Sequence, residues 1–128
     1  MLGAMGEREE IIGVASTYLD AGLVNDDADG VLLAPDCRRW TQQSYHSPPR
    51  NQSAEEIRAG IRRGDEQGIW SIDRRRWIVE GNQAVVLADL HFKGLEEPVI
   101  LYERFMVEDG LIREIEAIYL APERAGGR

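Results

Sequence analysis

Four groups of residues in this 128-residue chain could do chemistry. The run Asp36-Cys37-Arg38-Arg39-Trp40 sets a thiol beside two guanidinium groups. Asp89 and His91, two apart, share a face if they lie on one strand and could then work as an acid–base pair. Thr41 to Gln52, with Gln42, Gln43, Tyr45, His46 and Pro48-Pro49, is a polar segment suited to a lid over a binding site. Glu103 is a carboxylate inside the apolar stretch from Pro98 to Val107, in surroundings that oppose ionisation.

Three of these groups have ordinary readings. A nucleophilic cysteine needs a base, and no histidine is placed by motif to activate Cys37, which reads as a small buried residue. Ala34-Pro35 ahead of it reads as a helix stop, followed by a short edge strand over Asp36–Thr41. His91 and Asp89 fall on a polar face and read as a surface or interface pair, and His46 reads as a surface residue. A single cysteine excludes an intrachain disulfide. With no His-x-x-x-His or Cys-x-x-Cys spacing, no metal is expected, and no cofactor motif is present.

Charge and hydropathy narrow the partners. Acidic residues outnumber basic ones by 23 to 15, a formal charge of −8, which argues against neutralising nucleic-acid phosphates. No apolar run approaches the ~20 residues that span a bilayer, and no signal-peptide pattern is present, so a cytoplasmic protein without membrane contact is expected.

The elements that must position these residues follow from periodicity. Ile11, Ile12, Ala15, Tyr18 and Leu19 mark one face of a helix over Glu7–Ala21, with acids at its start and Gly22 at its end. A second, short helix is expected from Asp26 or Asp27 through Val31–Leu33, stopped by Pro35. A third begins at Ser53, where Ser53-Ala54-Glu55-Glu56 is a capping box, and carries Ile57 and Ile61. Four strands follow, Ile69–Glu80, Gln83–Lys93, Pro98–Val107 and Leu111–Leu120. The pattern predicts one α+β domain over residues 1–128, its core about 7–121 and both ends loose. Three N-terminal helices would pack on a curved, mostly antiparallel sheet.

Counting register across the turns assigns the faces. A two-residue Gly81-Asn82 turn sets Trp77 opposite Val86 and Arg75 opposite Ala88. A connection at Lys93–Glu96 sets Val86 opposite Glu103, and a three-residue Glu108–Gly110 loop sets Glu103 opposite Ile115. One face then carries Val79, Trp77, Ala84, Val86, Ala88, Leu90, Phe92, Val99, Leu101, Phe105, Ile115, Ala117 and Tyr119. Glu103 lies near its middle, with Asp73 and Arg75 towards one end. The other face carries Asp89, His91, Tyr102, Arg104, Met106, Glu114 and Glu116. Its aromatic, Met and Arg content predicts a homodimer through Tyr102, Arg104 and Met106. For Glu103 two readings stand. Paired with Arg75 or hydrogen-bonded to Trp77 it is a structural acid; unpaired, its pKa rises and it can donate a proton near neutrality.

Tyr18-Leu19-Asp20-Ala21-Gly22, Leu32-Leu33-Ala34-Pro35-Asp36 and the hairpin RFMVEDGLIREIEAIYL together resemble the nuclear transport factor 2-like superfamily. This is the cone-shaped fold of ketosteroid isomerases and SnoaL-like polyketide cyclases, and the likeness runs from about Glu7 to Leu120. The resemblance implies that Glu103 takes the place of the isomerase acid that donates a hydrogen bond to the substrate oxygen. It departs at two other positions, since the helix-one tyrosine falls on Ala15 and the catalytic base on Thr41. Nor does the chain carry the Arg-x-Asp strand signature of limonene epoxide hydrolases. The expectation is a largely apolar pocket for a small apolar ligand, with Glu103 as acid–base residue of an isomerase, cyclase or hydrolase. Tyr18, Trp77, Arg75, Asp73, Val86, Phe105, Ile115 and Tyr119 would line it. The alternative is a non-catalytic interaction module that works through the convex sheet face.

Overall fold

The helix predicted over Glu7–Ala21 is built in two parts. In the computed structural model, which describes residues 4–42, 50–65 and 68–120, α1 spans Ala4–Thr17 and passes into a π-helical turn, Tyr18–Val24. That turn buries Tyr18, Leu19, Gly22 and Leu23 together. Gly22 does not end the helix as expected. A Cβ there would lie 3.1 Å from Val31 Cγ2 and 3.3 Å from Ile61 Cδ1, so its bare backbone lets both side chains close in.

The second predicted helix does not form. Asp27 Oδ1 accepts a hydrogen bond from the Gly30 amide at 3.2 Å, which closes a single 3-10 turn, Ala28–Gly30. From Leu33 the chain is already strand. Pro35 therefore lies inside a strand, where pairing with the last strand slips between Leu33 and Arg38. A residue without an N–H is tolerated at such an irregularity.

The described residues thus place two helices, not three, on the sheet. The second, α2, spans Ala54–Arg63 and starts as the capping box requires. Ser53 Oγ accepts from the Glu56 amide at 3.2 Å, and Glu56 Oε1 accepts from the Ser53 amide at 2.9 Å. These hydrogen bonds also hold the Glu56 carboxyl below its ordinary value. Gly64, at φ 70°, ends the helix in the left-handed conformation.

Six strands form one mixed, mostly antiparallel sheet. They are β1 Leu33–Gln42, β2 Arg50–Ser53, β3 Ile69–Glu80, β4 Gln83–Phe92, β5 Val99–Glu108 and β6 Leu111–Leu120, in the order β2-β1-β6-β5-β4-β3. β1 is not the edge strand expected of it. It lies between β2 and β6, antiparallel to the first and parallel to the second. β2 takes up part of the segment read as a lid; Gln43, Tyr45, His46, Pro48 and Pro49 lie outside the described residues.

Two registers differ from the count, with different results. In the β5–β6 hairpin only Asp109 and Gly110 form the turn, both at positive φ as a type I′ turn requires. A bulge after Met106 then sets Glu103 opposite Ala117 rather than Ile115, which faces Phe105. Beyond the bulge that offset is two residues, so Glu103, Ile115, Ala117 and Tyr119 keep the inner face, while Ile112, before it, turns inward opposite Val107. In β3 a bulge between Asp73 and Arg76, with Arg74 at φ 51°, slips the pairing by one. Ile72 now faces Leu90 and is buried, while Asp73 faces Asp89 on the outer side. Arg75 consequently does not oppose Ala88.

Candidate functional site

A row of inward side chains crosses five strands at the middle of the sheet. Thr41 on β1 faces Ala117 on β6, Ala117 faces Glu103 on β5, Glu103 faces Val86 on β4, and Val86 faces Trp77 on β3. The next row runs Arg39, Ile115, Phe105, Ala84 and Val79. Adjacent strands are about 4.8 Å apart, so Thr41 and Glu103 stand roughly 10 Å from each other with only the small Ala117 between them. Val86, Phe105, Ile115 and Ala117 are wholly buried, and Glu103 among them is 1% exposed. The carboxylate lies in the core face, as register counting expected.

Arg39 supplies the positive charge of this cup. It is 4% exposed, and its Nη1 donates to Gln52 Oε1 at 2.9 Å and to the Thr41 hydroxyl. Its Nη2 donates to the Tyr119 hydroxyl at 2.8 Å, and its guanidinium carbon stands 5.7 Å from the centre of the Tyr18 ring. Tyr18 in turn meets Phe105 edge to face at 6.0 Å, and Trp77 packs 6.3 Å from Phe105 on the other side. Tyr18, Trp77, Val86, Phe105, Ile115 and Tyr119 are thus gathered around Glu103's side of the sheet.

Two expected members are elsewhere. Asp73 is carried to the outer face by the β3 bulge, where its Oδ1 lies 2.8 Å from His91 Nε2. Arg75 is held by Asp20, to which it makes hydrogen bonds of 3.2 and 2.5 Å, and by the Ile72 carbonyl at 3.0 Å. It ties the π-helical turn to β3.

Arg39, Thr41 and Gln52 were not singled out as site residues from the sequence. For the β1 pair a signal exists: Cys37, Arg39 and Thr41 are alternate residues on a strand, so a buried Cys37 implies an inward Arg39. Gln52 belongs to a strand that periodicity did not reveal. Cys37 itself is buried, and its thiol is pushed up to about 12, first by burial and then by Asp36. It is a core residue without thiolate character.

Between the π-helical turn, α2 and the β1–β2 pair lies a recess lined by Tyr18, Leu23, Arg39, Gln52, Ile57 and Ile61, with Asp26, Arg50 and Asp65 among its charged walls. Its free volume is about 30 Å³, room for one or two waters. Glu103 does not line it. Arg39 and Gln52 form the polar wall of this recess. No helix of the described residues is long and apolar enough to cross a membrane.

Residues 5–119 match the family model described as a domain of unknown function, DUF8021. No curated protein sequence matches the chain. Among solved structures it is similar to a proposed ketosteroid isomerase from Kribbella flavida DSM 17836, with TM-score 0.66 and 19% identity over 91% of this chain and 82% of that one. An NTF-2 like protein of unknown function from Burkholderia xenovorans LB400 superposes with TM-score 0.68 and 16% identity, covering 93% and 89%. A proposed SnoaL-like polyketide cyclase from Jannaschia sp. CCS1 gives TM-score 0.66 and 16% identity, covering 87% and 85%. The fold is NTF2-like, as the sequence resemblance implied, and at these identities the likeness is one of fold.

Proposed function

The chain belongs to the DUF8021 family, and within that membership we propose that it binds a small molecule in the cup and moves a proton on it with Glu103. The observation that carries this reading is a carboxyl group 1% exposed among Val86, Phe105, Ile115 and Ala117, sharing its cup with Arg39 and Tyr119. A buried carboxyl must be neutralised, paired or hydrogen-bonded, and acids so placed in a cleft are candidates for proton transfer. Arg39 and the Tyr119 hydroxyl are placed to stabilise negative charge on a substrate oxygen, and Glu103 to give or take a proton. The recess sets Tyr18, Leu23, Ile57 and Ile61 against Arg39 and Gln52, which suits a ligand with an apolar body and an oxygen-bearing end. The free, buried Cys37 suits a reducing compartment, and we place the protein in the cytoplasm.

The test is a thermal-shift screen of small carbonyl and hydroxyl compounds, with mass spectrometry of any ligand that co-purifies. Hits are then measured against Glu103→Gln, which keeps the shape and removes the charge. Retained fold with lost binding or turnover is the expected result. A strongly destabilised Glu103→Gln protein that still binds would make Glu103 a structural acid instead.

A second reading, a non-catalytic interaction module, is favoured by one feature. Ile100, Tyr102, Ile118 and Leu120 are all exposed on the outer face of β5 and β6. A screen without hits, together with a stable self-associated protein, would support it.

A further inference from the structure

On the outer face, near the far edge of the sheet, Asp73 joins the Asp89–His91 pair although no sequence spacing links it to them. We infer that these three side chains bind one divalent transition-metal ion, of the Mn²⁺, Fe²⁺ or Zn²⁺ class. The inference is independent of the chemistry proposed for the cup.

The geometry comes from strand pairing. Asp73 stands directly opposite Asp89, and His91 is two residues along β4, opposite Ser71. One ligand atom from each of the three lies within 4.8 Å of the others. A metal at about 2.0–2.2 Å from each donor would hold those atoms roughly 3–4 Å apart, so small side-chain rotations close the site. His91 Nε2 and Asp73 Oδ1 are already 2.8 Å apart. Trp70 lies against the imidazole at 5.5 Å between ring centres and limits its rotation.

The electrostatics ask for a cation. Like charges directly opposed on neighbouring strands destabilise a sheet. Asp89 is also buried, at 6% exposed, on what is otherwise the outer face. Its side chain is met by Arg74 alone among the described charges, Nη1 to Oδ2 at 3.3 Å, and that arginine is itself 68% exposed. A dication would balance two carboxylates around a neutral imidazole. Binding requires the Nε2 lone pair, so a tautomer that carries a proton on Nε2 passes it to Nδ1 or to solvent, and Nε2 becomes the third ligand. Two carboxylate oxygens and one imidazole nitrogen are a mixed donor set, better matched to these ions than to Mg²⁺ or Ca²⁺. Water or an incoming ligand would complete the coordination.

The test uses the full-length, untagged protein, stripped with chelator and titrated calorimetrically with Zn²⁺ and with Mn²⁺. One equivalent should bind. Asp73→Asn, at an exposed carboxylate, and His91→Ala should each weaken binding at least ~10-fold, with circular dichroism unchanged. His46→Ala, which removes the chain's other histidine, should leave the affinity as it was. No heat at millimolar metal, or binding that survives both Asp73→Asn and His91→Ala, would overturn the site. So would binding that only His46→Ala removes.

Discussion

Cys37 is flanked by Asp36 and Arg38, and neither neighbour decides its behaviour. Burial does, with Asp36 adding to it and Arg58 and Arg38 opposing weakly, and the thiol rises from 9.0 to about 12. Two outcomes follow for the native protein. At pH 8 iodoacetamide should leave Cys37 unmodified until denaturant unfolds the chain. Above pH 9.0 the unfolded chain releases the thiol proton while the folded one keeps it, so stability falls as pH climbs towards about 12. Denaturant midpoints between pH 8 and 11 should show this slope, and Cys37→Ala should flatten it. An equal slope in the variant would assign the loss to other groups. Arg39 carries the matching lesson about site residues. A guanidinium next to Arg38 reads as half of a surface pair, and only strand alternation separates the buried one from the exposed one.

At the level of elements, most of the molecule was legible. The four C-terminal strands and the capped α2 lie where turn residues and the capping box put them, because those signals are local. What escaped depends on contacts distant in sequence. Ala34-Pro35 stops a helix in isolation, yet here it is strand because β6 offers a partner with a slipped register. The bulge at Arg74 moved Asp73 across the sheet, whereas the two-residue offset beyond the β5–β6 bulge left Glu103, Ile115, Ala117 and Tyr119 on the inner face. Odd slips matter and even ones do not. The outer face of β5 and β6 supports a prediction at this scale. Ile100 pairs with Leu120 and Tyr102 with Ile118, four exposed apolar side chains in one block, and Arg104 beside them is ion-paired to Glu114 and Glu116. Such a patch suits a two-fold interface with a second copy. Light scattering should give a dimer at high micromolar concentration, and Tyr102→Glu or Ile118→Glu should give a folded monomer. A monomeric wild type would remove the basis for this interface.

The whole molecule is a sheet whose strands were formed by two different kinds of closure. β3, β4, β5 and β6 follow one another through short connections. β1 instead meets β6 in parallel, Leu33 against Ile112 and Gln42 against Ile118, bringing distant stretches of chain together. Closing a long loop costs more entropy than closing a hairpin, and pairings far apart in sequence are slow to form. The four-strand meander should therefore assemble first and β1 dock late. In stopped-flow experiments, substitutions in the Asp109-Gly110 turn should slow refolding, while Cys37→Ala should chiefly speed unfolding. The reverse pattern would put β1 in the folding nucleus. Arg39 and Thr41 ride on β1, and Gln52 on the strand beyond it. The polar wall of the cup is then the last part of the molecule to come into being, and a chain arrested before that step would hold Glu103 between Val86 and Ala117 with Arg39, Thr41 and Gln52 still undocked.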